Sequence, residues 1–133
     1  MATELTKKTL NLNGAVDLLD GETPIDLSDG DELKYSPEKD TMFFVYVQRS
    51  DGTNELQDVT VKAGDYFQNR RLGSANDYEI SLGFAADGDS ALLGPFESAK
   101  FKDEDGDVII EAGVDTGDAS SYVVAVEVSY EES

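Results

Sequence analysis

Ala91-Leu92-Leu93-Gly94-Pro95-Phe96-Glu97-Ser98-Ala99-Lys100-Phe101, followed by Asp103-Glu104-Asp105-Gly106-Asp107-Val108-Ile109-Ile110, reads as a strand, a sharp corner, a second strand, a tight turn and a third strand. Gly94 opens backbone angles closed to other residues, while Pro95 fixes its own φ and has no N–H to give to a sheet ladder. The pair is expected to end one strand and redirect the next, with Phe96 and Phe101 buried behind the corner. Asp105-Gly106 has the chemistry of a two-residue hairpin turn, and apolar runs flank it. Gly94, Pro95, Phe96, Phe101 and Gly106 are therefore the candidate structural corner.

The same grammar extends in both directions. Tyr78, Ile80, Leu82 and Phe84 alternate with other residues as a half-buried strand does, and Asp87-Gly88 turns the chain towards Ala91. Val59 and Val61 face away from Thr60 and Lys62. Met42-Phe43-Phe44-Val45-Tyr46-Val47-Gln48 is apolar in both phases, which marks a central strand or one covered on both sides. Leu33 and Tyr35 alternate before Ser36-Pro37 breaks the run. Near the C-terminus, Tyr122, Val124, Val126, Val128 and Tyr130 share one face of a last strand. Residues 1–30 are read as an N-terminal arm or as first strands: Leu10 and Leu12 suggest one, and Val16, Leu18 and Leu19 the start of another. Residues 31–133 form the main domain.

No helix period and no internal repeat emerges. About eight short strands separated by turn signals predict an all-β fold, a β-sandwich of jelly-roll or immunoglobulin-like type, without substantial helix.

Composition narrows the chemistry. The chain of 133 residues contains no cysteine and no histidine, so disulfides, thiolate metal sites and Ser-His or Cys-His catalytic pairs are ruled out. No apolar run nears the roughly 20 residues a membrane helix needs, and Met1 to Lys8 lacks the apolar core of a secretory signal. Against 29 Asp and Glu stand 10 Lys and Arg, a formal charge of -19. Phosphate neutralisation needs a basic stripe, so nucleic acid is not an expected partner. Carboxylates spread along the whole chain suit a surface adapted to strong salt, where screening suppresses self-repulsion. A DNA mimic is the competing reading of the same charge.

Candidate sites are few. Asp103-Glu104-Asp105-Gly106-Asp107 has some acidic spacing of a calcium loop, but its glycine comes too early and Val108-Ile109-Ile110 takes the remaining ligand positions. It reads as an acidic turn. No carboxylate pair stands out for hydrolysis, and the glycines lack the spacing of a phosphate loop. No cofactor, metal or enzymatic activity is expected. Tyr66, Phe67, Arg70 and Arg71 put two aromatics beside an arginine pair, a composition enriched at protein interfaces, and form the candidate interface.

The order of these motifs resembles that of small β-rich decoration or head-fibre-type structural proteins of tailed viruses. The similarity runs over about residues 30 to 128, through Gly30-Asp31, the strand from Met42 to Gln48, Val59-Thr60-Val61, the strand leading to Gly94-Pro95-Phe96, then Phe101, Asp105-Gly106 and Val108 to Ile110. The resemblance implies a non-enzymatic virion protein on the capsid surface. It also implies binding to the major capsid protein and assembly into a small symmetric oligomer. With the acidity, it points to a virus of a salt-loving archaeon. A carbohydrate- or receptor-binding module on the virion is the alternative.

Overall fold

Alternation of β-branched and aromatic residues with polar ones recurs through most of the chain, and the elements named below follow it into strands. The computed structural model describes residues 3–12, 15, 17–19, 21–37, 42–51, 54–62, 78–86, 88–97, 101, 106–114 and 117–132. Among these, the elements in chain order are β1 (Thr3–Glu4), β2 (Thr6–Leu12), β3 (Ile25–Ser28), β4 (Glu32–Tyr35), β5 (Met42–Asp51), β6 (Leu56–Val61), β7 (Tyr78–Phe84), β8 (Ser90–Glu97), β9 (Val108–Val114) and β10 (Asp118–Glu132).

Two mixed sheets stack into a sandwich. The first has the order β1-β4-β9-β6-β7, and the second has β2-β10-β5-β8 with β3 also paired to β10. The connectivity is that of one long hairpin folded over itself. The antiparallel pairs β3/β10, β4/β9, β5/β8 and β6/β7 are nested, and successive pairs alternate between the sheets. This is a jelly roll rather than an immunoglobulin arrangement.

β1 and β2 are added to that frame as one split strand. Thr3–Glu4 runs parallel to β4 in the first sheet, and Thr6–Leu12 runs parallel to β10 in the second. The crossing point is Leu5, buried, whose N–H donates to the Lys34 carbonyl at 2.8 Å. β10 thus serves three partners. One edge holds β5, and the other is shared between β3 at Asp118–Ser121 and β2 from Val124 onward.

The core fills the space between the sheets. Leu33, Tyr35, Val59, Val61, Val108 and Ile110 come from the first sheet, and Phe43, Val45, Val47, Val123 and Ala125 from the second, all shut off from water. Each of the Val, Leu, Ile and Phe side chains among them contributes about 1.5–3 kcal/mol by leaving water. Arg49 follows Phe43, Val45 and Val47 on the inner face of β5 and is only 2 % exposed. Its Nε donates to the Asn54 carbonyl at 3.0 Å, and its backbone clasps the turn at Gly88 and Asp89.

Three local expectations are corrected. Gly94-Pro95 does not end a strand: β8 continues through both, and the register against β5 shifts between Phe43 and Val45, as at a β-bulge. Gly106, at φ +84°, does not sit in a hairpin, because β8 lies in the second sheet and β9 in the first. Leu18 and Leu19 form a turn and not a strand, with the Asp17 carboxylate accepting from the Leu19 N–H at 3.2 Å.

Candidate docking face

The corner is built from a glycine at positive φ and a row of rings. Gly94 holds φ at +117°, and a Cβ there would lie 3.0 Å from the Phe43 carbonyl oxygen and 3.1 Å from the Phe96 ring. Only glycine lets the backbone pass at this distance. Phe96 and Phe101 are 6 % and 5 % exposed. Ring centroids run Tyr35 to Phe43 at 5.0 Å, Phe43 to Phe96 at 5.3 Å and Phe96 to Phe101 at 5.7 Å, the last pair edge to face. The row runs from β4 of the first sheet to β8, the edge strand of the second.

Outside the second sheet, Asp26 of β3 and Asp118 of β10 are exposed, but over β5, β8 and the middle of β10 the side chains are not those of an acidic protein's surface. Strand alternation turns Phe44, Tyr46 and Gln48 of β5 outward, beside Val126, Val124 and Tyr122 of β10 in register. Val124 and Val126 are buried yet lie outside the central core, so they belong to this outer face. Phe44, Tyr46 and Tyr122 are partly exposed. Tyr46 spends its phenol locally, donating to Gln48 Oε1 at 2.6 Å. Leu92 of β8 stands opposite Tyr46 and is 55 % exposed. Between Phe44 and Gln48, and between Tyr122 and Val128, the only carboxylate is that of Glu127, and it points inward.

Next to this face the sandwich is open. β7 and β8 end their sheets at the same side, and a groove of about 530 Å³ lies there, with Ile80 of β7 on one wall and Leu92, Leu93 and Pro95 of β8 on the other. Met42, Phe96 and Phe101 also line it, and Glu97 brings one carboxylate to its rim. Met42 and Leu92 belong to both groove and face, so the two adjoin.

The first sheet turns the opposite chemistry outward. Register places Glu32 beside Glu111, Glu111 beside Thr60, and Thr60 beside Glu79, a row across four strands carrying three carboxylates. Lys62 Nζ approaches Glu111 Oε2 at 3.8 Å. One step along, Asp58 pairs with Gly113, and its carboxyl lies where a side chain on that residue would go. Burial, and then the charges of Glu79, Asp29 and Glu111, push the Asp58 carboxyl above its usual value. Among the described residues, no group of three or more such ligands is placed to hold a metal ion.

Of the residues singled out in the sequence, Gly94, Pro95, Phe96 and Phe101 are brought together at the groove. Gly106 is a separate turn before β9. Tyr66, Phe67, Arg70 and Arg71 lie outside the described residues. Sequence reasoning missed the outward face of the second sheet, although its signal was present. Met42 to Gln48 is apolar in both phases, and only one phase is needed for the core. It also missed buried Arg49, which alternation alone places inward.

Fold and surface together define a jelly-roll domain with an apolar patch over β5, β8 and the adjoining part of β10 outside one sheet, and a row of carboxylates outside the other. Set against known protein families, curated proteins and solved structures, the chain matches none.

Proposed function

We propose that this chain is a non-enzymatic structural component of a tailed-virus particle, a decoration protein that works by seating an apolar face against protein. One observation carries the reading. In a chain of formal charge -19, the outer side of the second sheet turns Phe44, Tyr46, Tyr122 and Leu92 towards solvent with no carboxylate among them. Leaving such a patch open in water is unfavourable, and patches of this kind mark protein contacts. The motif order that resembles head-region structural proteins supplies the virion context. The jelly roll is compatible with it, though the fold alone carries no function.

Orientation follows from the two faces. The apolar side turns to the assembly, and the row Glu32, Glu111, Thr60 and Glu79 turns to the medium. On a shell that repeats its sites many times, a modest contact per domain gives firm occupancy. The test is proteomic: purified particles of the parent virus are expected to contain the chain in stoichiometric amounts. Its absence from them would overturn the proposal. A glycan array reporting specific sugar binding would favour the receptor-module alternative.

A further inference from the structure

We infer that Lys7 and Glu127 are the two halves of a self-forming amide cross-link that ties β2 to the last strand, β10. The inference does not depend on the virion reading and starts from the placing of three side chains. β2 runs parallel to β10, with Ala125 opposite Lys7 and Glu127 two residues further along. Lys7 Nζ lies 3.9 Å from Glu127 Oε2, while Oε1 accepts a hydrogen bond from the Tyr35 phenol at 2.7 Å. Glu127 and Tyr35 are only 3 % and 0 % exposed, whereas the Lys7 side chain is 23 % exposed. Phe43 stands in register with Glu127 on β5, and its ring centroid is 5.0 Å from that of Tyr35, so the surroundings are aromatic. The carboxyl group is held at one oxygen, faces an amine at the other and lies where water is scarce.

Each atom has a part in the condensation. Separated charge is costly in a dry setting, so an ammonium and a carboxylate in contact can exchange a proton and become neutral. The proton passes from Nζ to Oε2, leaving a free amine beside a carboxylic acid. The Nζ lone pair then attacks Cδ, and the new N–C bond pushes the carbonyl electrons onto Oε1. The Tyr35 O–H already points at that oxygen and stabilises the charge that develops there. Collapse of the intermediate breaks the Cδ–Oε2 bond. Oε2 takes a second proton from the nitrogen and departs as water on the partly exposed side of Lys7. The products are one amide and one water, with no oxidant, metal or cofactor consumed.

Holding both groups on paired strands supplies the driving force. Groups fixed in a near-attack geometry react with effective molarities of about 10⁵–10⁸ M, far above that of the water that opposes condensation. The cross-link closes a loop from residue 7 to residue 127 and fastens β2, an edge strand, to β10. In a chain without cysteine it does the work of a disulfide, restricting the unfolded ensemble.

Mass spectrometry of the purified full chain tests the inference. The intact mass is expected to be one water below that of the sequence. Succinimides at the Asp-Gly pairs lose the same mass, so the location of the loss decides. Trypsin should release a species that joins residues 1–8 to residues 103–133, with Lys7 uncleaved. Lys7→Arg keeps a cation beside Glu127 but cannot form this amide, and should restore the full mass with an unchanged circular dichroism spectrum. Tyr35→Phe removes the donor to Oε1 and should slow linking about 10²–10³-fold in a time course after cell-free synthesis. A folded chain that keeps its full sequence mass through prolonged incubation overturns the inference. So does a water loss that maps to an Asp-Gly pair or persists in Lys7→Arg. Linking at an undiminished rate in Tyr35→Phe overturns the part given to the phenol.

Discussion

The Tyr35 phenol donates a 2.7 Å hydrogen bond to Glu127 Oε1, joining β4 of one sheet to β10 of the other in the dry interior. Lys7 of β2 approaches the second carboxylate oxygen at 3.9 Å. A buried carboxylate depends on such partners, because leaving it short of one exposes its full desolvation cost. Tyr35→Phe should therefore lower stability by about 1–3 kcal/mol in urea titration, far more than removal of one exposed hydroxyl. An unchanged midpoint would mean that water replaces the phenol.

The corner should answer to two substitutions in different ways. Phe96→Ala empties a site touching Phe43 and Phe101 and should cost about 3–5 kcal/mol. Gly94→Ala removes no contact but forces a side chain onto φ +117° against the Phe43 carbonyl. About 1–3 kcal/mol of backbone strain is expected, with a local register change visible as shifted amide resonances in β5.

Asp58 gives a pH prediction with a defined sign. Its carboxyl is held above 3.8, first by burial and then by Glu79, Asp29 and Glu111, so the fold favours its protonated form. The stabilisation from that form is complete below the unfolded value near 3.8 and is lost as pH rises through the higher folded value. Asp58→Asn should raise the melting temperature at pH 7 and flatten this part of the pH profile. Because burial is the larger cause, part of the gain should persist in molar KCl. A gain that vanishes completely in salt would assign the effect to the neighbours instead.

Thr60 supplies the complementary case, where charge alone is at stake. It lies in register between Glu111 and Glu79 on the outer side of the first sheet. Thr60→Lys should stabilise the domain by about 0.5 kcal/mol in 0.1 M salt and by much less in 2 M KCl. The parent protein should itself melt higher as salt rises, since 29 acidic residues face only 10 basic ones. A melting temperature that is flat or falls across that range contradicts the salt-adapted reading of the surface.

Most strands were legible because their signal is local. Leu33 and Tyr35, Val59 and Val61, and Ile80 to Phe84 each declare a face by alternation alone. Partner choice was not legible, since Gly106 and Gly88 look like hairpin turns whether the next strand joins the same sheet or the opposite one. Both are followed by a strand of the other sheet. The corner was half legible. Gly94 and Pro95 announced an irregularity, but the paired strand β5 determines whether it becomes a break or a bulge. The outer apolar patch was not legible: Tyr122, Val124 and Val126 look like core until Val123 and Ala125 are seen to fill it.

The nesting of the strand pairs also sets a timetable for biosynthesis. Ser28 and Asp118, whose side chains hydrogen-bond across the outermost pair, stand 90 residues apart. At about 5–20 residues per second, a ribosome needs roughly 5–18 s to travel between them. During that interval β2, β3 and β5 all await β10, the strand they share, while the hairpin of β6 and β7 can already close. Nascent chains therefore pass through a long stage with open strand edges, the species most prone to stick to one another on a polysome. The same carboxylates that coat the finished domain repel neighbouring nascent chains through that stage, so the acidity protects the molecule before it has a surface to solubilise.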